Sequence, residues 1–288
     1  MHADLDTFLT TVYCMADDLL PRKPNNARRR VTDAEVVALC VGQAIMGIPE
    51  DPRFLAQAPA RIGHLFPELP KQPGFHKRRR KLAATIERLA AILAAECPGA
   101  ADDLLLVDST PVECGRSIDT TRRSELGPWC SHGYSASHSR HFWGMRLHAV
   151  FAPDGTPRAW GLAPANVGER EMATALLASS LRGGEVVVAD KGYAGAEFER
   201  GVGEMGAILL RPARQDESGR GPHLAPIRQR IESIFRTCKD LLTLERHGAR
   251  TIDNLRARIA SRMLALAAGI YINAWLGRPS RSLVAFVA

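Results

Sequence analysis

Glu185-Val186-Val187-Val188-Ala189-Asp190-Lys191-Gly192-Tyr193 is the stretch on which the reading of this chain turns. Three consecutive β-branched residues with no polar interruption predict a strand buried on both faces. That strand ends at a carboxylate, Asp190, and Gly192 then frees the backbone to turn. In open α/β sheets chemistry collects at the carboxyl ends of the strands, so the question is which groups meet Asp190 there. Leu104-Leu105-Leu106-Val107-Asp108-Ser109-Thr110 has the same build, four apolar residues and then Asp108 at the predicted exit. A third acid, Glu232, falls on a basic helix. Three carboxylates gathered in one cleft repel one another, and the usual reason to tolerate that is a divalent cation, most often Mg²⁺ with its preference for oxygen ligands.

The rest of the composition bounds the answer. A chain of 288 residues has room for one large domain or two small ones, and its apolar and charged fractions, 45% and 24%, are those of an ordinary globular protein. The formal net charge of +7 suits a polyanionic partner or a solvated surface. Arginine outnumbers lysine 32 to 6, which fits bidentate phosphate contacts and equally a GC-rich coding sequence. The six cysteines are scattered without framework spacing, as expected of free thiols in a reducing compartment. The N-terminus is acidic where an export signal would be basic and then apolar, so a cytoplasmic protein is expected. Met263 to Trp275, the longest uncharged apolar segment, falls short of the roughly 18 residues needed to span a bilayer and reads as a core helix.

Residues 1–100 read as an all-helical domain and 101–288 as an alternation of strands and helices. Thr32 with Glu35 three residues on is a capping-box signature for a helix that stops near Gly47. Pro21 to Arg30, with Arg28-Arg29-Arg30, reads as a linker, and the prolines from Pro49 to Pro73 allow only short helical pieces. Lys77-Arg78-Arg79-Arg80-Lys81, expected to open a helix running to about Glu96, is a candidate phosphate contact, since cations at a helix N-terminus oppose the macrodipole and need another reason to be there. Further on, His141 to Phe151 and Ala159 to Leu162 form a hairpin about the turn Pro153-Asp154-Gly155-Thr156. Helices follow at Glu169–Leu181 and Ala194–Glu204, a strand at Ala207–Leu210, a polar loop at Gln215–Pro222, and a last helix from about Ile252.

Ile227, Ile231, Ile234, Phe235, Cys238, Leu241 and Leu242 make one apolar stripe of a helix, so that helix packs on the sheet. Arg228, Glu232, Arg236 and Lys239 fall together on the neighbouring face. Taken alone, Glu232 is as readily an i, i+4 partner of Arg228 and Arg236, each pair being worth about 0.2–0.5 kcal/mol. Between Arg211 and Arg262, however, 12 Lys and Arg face 6 Asp and Glu, a surround that suits phosphodiester chemistry.

Asp108, Asp190 and Glu232, on two strand ends and a helix in that order, resemble the triad of the DDE transposases of bacterial insertion sequences. Four further segments resemble that family in the same order: Phe142-Trp143-Gly144-Met145-Arg146-Leu147-His148, Ala165-Asn166-Val167-Gly168-Glu169-Arg170-Glu171, Asp190-Lys191-Gly192-Tyr193, and Ile231-Glu232-Ser233-Ile234-Phe235 with Lys239 and Glu245-Arg246-His247. Arg228 and Lys239 also stand where a large branch of these enzymes has Arg and Lys around its Glu, whereas Ala225 stands where that branch has Tyr. The resemblance covers roughly residues 104–272. It implies a ribonuclease H-like α/β core, a mixed five-stranded sheet flanked by helices, behind an all-helical N-terminal domain that binds DNA. It implies Asp108, Asp190 and Glu232 as catalytic groups and ligands of two Mg²⁺ (or Mn²⁺). Arg228, Arg236, Lys239 and Lys191 would bind DNA phosphates. The implied activity is strand cleavage at the element ends followed by strand transfer into target double-stranded DNA, with a homodimer by analogy and no membrane partner. A metal-dependent nuclease without strand transfer would use the same acids, and a non-catalytic DNA-binding descendant would keep them. An aspartyl-phosphate mechanism would need a second Asp where Thr110 stands. Cys114, Cys130, His132, His138 and His141 lack the paired spacing of a zinc site. His148 reads as a hydrogen-bonded structural histidine, and Trp129, Trp143 and Trp160 as core.

Overall fold

The computed structural model describes residues 3–21, 30–135, 139–214, 217 and 224–287. Arg28, Arg29, His138 and the Gln215–Pro222 loop apart from Glu217 therefore lie outside the described residues. The chain forms two compact units: Pro98–Arg236 is one, and Met1–Cys97 joins Thr237–Ala288 in the other. A division into 1–100 and 101–288 does not describe these units, because the C-terminal helix groups with the N-terminal ones.

In the helical unit, α1 (Ala3–Leu19) is followed by α2 (Asp33–Ile45), whose capping box is complete: Thr32 Oγ1 accepts from Glu35 N at 3.1 Å and Glu35 Oε2 accepts from Thr32 N. The proline-rich passage holds more helix than expected. α3 (Asp51–Ile62) starts with Pro52, whose missing N–H costs nothing in a first turn, and tolerates Pro59 inside. The basic run does not open a helix. It closes α4 (Gln72–Lys81), where cations favour the macrodipole, and Leu82 breaks the chain before α5 (Ala83–Ala95). Three of its five cations are engaged within the protein: Arg78 pairs with Asp33 at 2.6 Å, Arg79 is fully buried on Asp51, and Arg80 lies 3.5 Å from Asp253, whereas Lys77 and Lys81 are exposed. α10 (Ile252–Trp275) is buried over most of its length against α2, α4 and α5, as the apolar segment within it requires. Among the described residues no helix is long and apolar enough to cross a membrane.

The sheet unit is built on β1 (Leu104–Gly115), β2 (Ser131–Ser135), β3 (Arg140–Phe151), β4 (Pro157–Pro164), β5 (Val186–Val188) and β6 (Ile208–Leu210). β3 runs antiparallel to β1 on one edge and shares its other edge between β4, over Met145–Phe151, and β2, over Arg140–Gly144. On the far side of β1, β5 and then β6 run parallel, so the sheet is mixed and has one strand more than the five expected. Helices α6 (Ile118–Arg123), α7 (Glu169–Ser180), α8 (Ala196–Glu204) and α9 (Ala225–Arg236) complete the unit. Leu105, Val107, Val150, Val187 and Ala189 share one core with Ala173 and Leu177 of α7 and Phe198 and Val202 of α8. On the other face Phe235 of α9 meets Phe151 edge-on at 5.6 Å. The helix predicted through Leu242 stops at Arg236 and continues as a π turn, Thr237–Leu241.

β1 bulges between Glu113 and Gly115, and this throws its backbone over Gly144 of β3. A Cβ at 144 would stand 2.2 Å from Val112 O and 2.9 Å from Cys114 N, both backbone atoms that cannot swing aside. Gly144→Ala is expected to cost about 1–3 kcal/mol in urea unfolding; a variant as stable as the parent contradicts this account of the bulge.

Candidate active site

The parallel ladder between β1 and β5 sets the site. Leu106 pairs with Val188; two residues further on stand Asp108, still within β1, and Asp190, beyond the end of β5. Because side chains alternate, Asp108 shares the face of Leu106, and Asp190, just past the end of β5, is close enough to act on its charge. Asp108 is not at a strand exit, however. β1 continues beside β3 to Gly115 and ends only on its β5 side, so the acid lies where the sheet splits. Asp190 caps the turn Lys191–Tyr193, its Oδ1 accepting from Gly192 N at 2.7 Å. Asp108 accepts from Ser109 N at 2.7 Å.

Phe151 pairs with Leu106 and Ala149 with Asp108, so the sheet face that Phe235 of α9 packs against is the one carrying Asp108. α9, the helix that carries Glu232, therefore packs on the Asp108 side of the sheet. Glu232 is exposed there and makes no ion pair with Arg228 or Arg236 among the described residues, which disposes of the salt-bridge reading. Asp190, Glu169 and Arg228 are the charges that act most on Asp108, and Glu232 is not among them. Among the described residues no three His, Cys, Asp or Glu side chains are arranged to hold a metal ion.

Glu169 is the group whose role the sequence did not disclose. It opens α7 on the opposite face, accepting from Ser109 Oγ at 2.7 Å and from Arg146 at 3.0 Å, while Arg146 also donates to Ser109 Oγ at 3.0 Å. A Cβ on Gly192 would lie 2.9 Å from Asp190 Oδ1 and 3.6 Å from Glu169 Oε2, so the glycine leaves the space between the two carboxylates open. Its position in a motif segment was the one sequence signal available. Beneath them Tyr193 is fully buried, and its hydroxyl has no partner among the described residues. Burial, then Asp108, Glu169 and Asp190, push that phenol well above its ordinary range.

The DNA-contact candidates separate. Arg228 acts on Asp108, and Lys191 and Arg236 are exposed without an ion pair among the described residues. Lys239 lies in the π turn and pairs with Glu245 at 3.2 Å. His148 is buried with neither ring nitrogen hydrogen-bonded among the described residues, so it is not the hydrogen-bonded histidine expected; burial, then Arg146, push its pKa down to about 4. Trp143 is buried and Trp160 half-buried, but Trp129 is half-exposed and not core.

The family model described as Transposase DDE domain matches residues 99–268, more than half of the chain. The chain belongs to the DDE transposase family. Searches among curated proteins and among solved structures returned no match. Family membership makes the mixed sheet with its flanking helices a ribonuclease H-like core, and it carries transposase activity, an endonucleolytic chemistry of DNA transposition and DNA as partner. DDE transposases use divalent metal ions, and the acids around Asp108 offer the oxygen donors such ions prefer. The donors are hard carboxylate oxygens, the phenol among them is orphaned, and Asp108 is pushed up to about 7 by burial first and then by Asp190 and Glu169.

That crowding has a measurable consequence in metal-free protein. Asp108 rises from 3.8 to about 7 on folding, so between these values the native state keeps a proton that the unfolded chain releases, and stability falls as pH rises. His148, depressed on folding, contributes the opposite slope over much of the same range, so the difference between variant and parent is the quantity to read. With EDTA present, Asp108→Asn is expected to exceed the parent by about 1–2 kcal/mol at pH 8, allowing for partial solvent screening. The gain should shrink toward pH 4. A gain that does not depend on pH contradicts the crowding.

Proposed function

We propose that this transposase cleaves DNA at the ends of a mobile element and joins the resulting 3′-hydroxyl to target DNA at one site, with Asp108, Asp190 and Glu232 as its catalytic acids. The observation that supports this reading is that Asp190 acts on the buried charge of Asp108 just past the paired ends of β1 and β5, on a sheet whose Asp108 face packs against the helix of Glu232. Asp108, Asp190 and Glu232 would hold two Mg²⁺ or Mn²⁺, which neutralise the phosphate and acidify the attacking water or hydroxyl. Glu169 and Arg146 fix the loop end of the site by way of Ser109, beside the carboxyl of Asp108. Arg228, closest in effect to Asp108, would take a non-bridging oxygen of the scissile phosphate, with Lys191, Arg236 and Lys239 along the flanking backbone. The helical unit would add DNA contacts, and pairing two element ends would call for a homodimer. A cytoplasmic, nucleoid-associated location follows from that substrate.

End-labelled DNA bearing the source element's terminal repeats, incubated with Mg²⁺ or Mn²⁺ and a target plasmid, tests this reading. The parent should give metal-dependent 3′-hydroxyl ends and joined product. Asp190→Ala and Glu232→Gln should each lose both by on the order of 10³-fold or more while still shifting DNA. Glu169→Gln, acting through Ser109 and Arg146, should lose about 10–100-fold. Cleavage without joining indicates a nuclease, binding without cleavage a non-catalytic descendant, and full activity in Asp190→Ala rules the assignment out.

A further inference from the structure

The helical unit buries three guanidinium groups around a single carboxylate. Arg79, Arg258 and Arg262 are each 5% exposed or less, and among the described residues the one acid in contact is Asp51, which Arg79 and Arg258 share. Arg79 spends every donor nitrogen: Nε on Asn254, Nη1 on Gln43 and Asp51, Nη2 on Asp51. Arg258 places its Nη atoms on Pro49 O and Asp51 Oδ1, and Arg262 places its own on Arg258 O and on Thr243. The Nε–H groups of both Arg258 and Arg262 are buried with no partner among the described residues. Both side chains line a cavity of about 10 Å³, together with Arg79, Gln43, Cys40, Ala44 and Ser261.

We propose that this cavity binds one small monovalent anion of the halide class, chloride under ordinary conditions, with the two unpartnered Nε–H groups as donors. The balance of charge favours an anion over water. Among the described residues one carboxylate serves three buried cations, and an uncompensated buried charge costs several kcal/mol. A water would accept from both donors but would still need acceptors for its own hydrogens, whereas the polar groups here are overwhelmingly donors. Burial, then the neighbouring guanidiniums, hold Arg258 down to about 10 and Arg262 to about 9, as expected of cations missing an anion. Cys40 does not supply that charge, because burial pushes its thiol up to about 12. The size of the cavity, room for about one water-sized particle, excludes phosphate and any DNA contact.

The test uses the full chain. Crystals grown or soaked in sodium bromide should show an anomalous peak in the cavity, within hydrogen-bond distance of Arg258 Nε and Arg262 Nε. Replacing sodium gluconate by sodium chloride at constant ionic strength should raise Tm by several degrees, saturably. Ser261→Val and, separately, Ala44→Val fill the cavity while leaving the charges, and each should abolish the chloride response; either variant suffices if the other fails to fold. A bromide-free cavity, a Tm equal in the two salts, or a chloride response unchanged in a folded variant overturns the proposal.

Discussion

Carboxylates placed side by side at the mouth of a sheet repel, and the structure of the sheet unit follows from how that repulsion is arranged. The parallel pairing of β1 with β5 stops at Leu106 and Val188, so the positions two residues on, Asp108 and Asp190, have no ladder between them. Burial and the neighbouring acids hold Asp108 near 7, a free-energy load that folding alone does not relieve. Core packing of Leu105, Val107 and Val187 against α7 and α8 carries it. A cation converts the same geometry from a cost into a binding site. This is why a site that weakens the apo fold can persist in a metal-dependent enzyme.

Around this pair the polar groups divide by sheet face. Glu169, Ser109 and Arg146 form a closed, mutually satisfied network on the face of α7. On α9, Glu232 and Arg236 are solvent-facing, as is Lys191 in the turn after Asp190, and none makes an ion pair among the described residues. The first set has one arrangement and can hold Asp108 still; the second is free to meet a ligand carrying phosphate and metal. Rigid support on one side and uncommitted charge on the other is the arrangement phosphoryl transfer requires, because its catalysis rests on positioning and charge neutralisation.

What could be read from the sequence was what local pattern decides. The valine run ending in Asp190, the capping box of Thr32 and Glu35, and the apolar final helix all appear where expected, because each is fixed by residues within a turn or two. The length of β1 was not legible. Pro111 argues against a central strand, yet β1 carries it because past Leu106 it has no β5 partner and one edge needs no donor. The basic run was misread for a different reason: the burial of Arg79 is set by Asp51 and Asn254, which lie 28 and 175 residues away. The same holds for Glu169, quoted within a motif but given its role by Ser109, 60 residues distant. Long-range partners turn apparent surface charge into structure and tie a motif glutamate to the residue beside Asp108.

The account stands on the acids at the sheet's split end being a metal site. Its most direct test is a crystal structure of the protein with Mn²⁺ and a DNA end, recorded at the manganese edge. The account predicts anomalous density bound to both Asp108 and Asp190, with Glu232 drawn in as a further ligand. Manganese bound elsewhere, with these two carboxylates uncoordinated beside a bound DNA end, would contradict it.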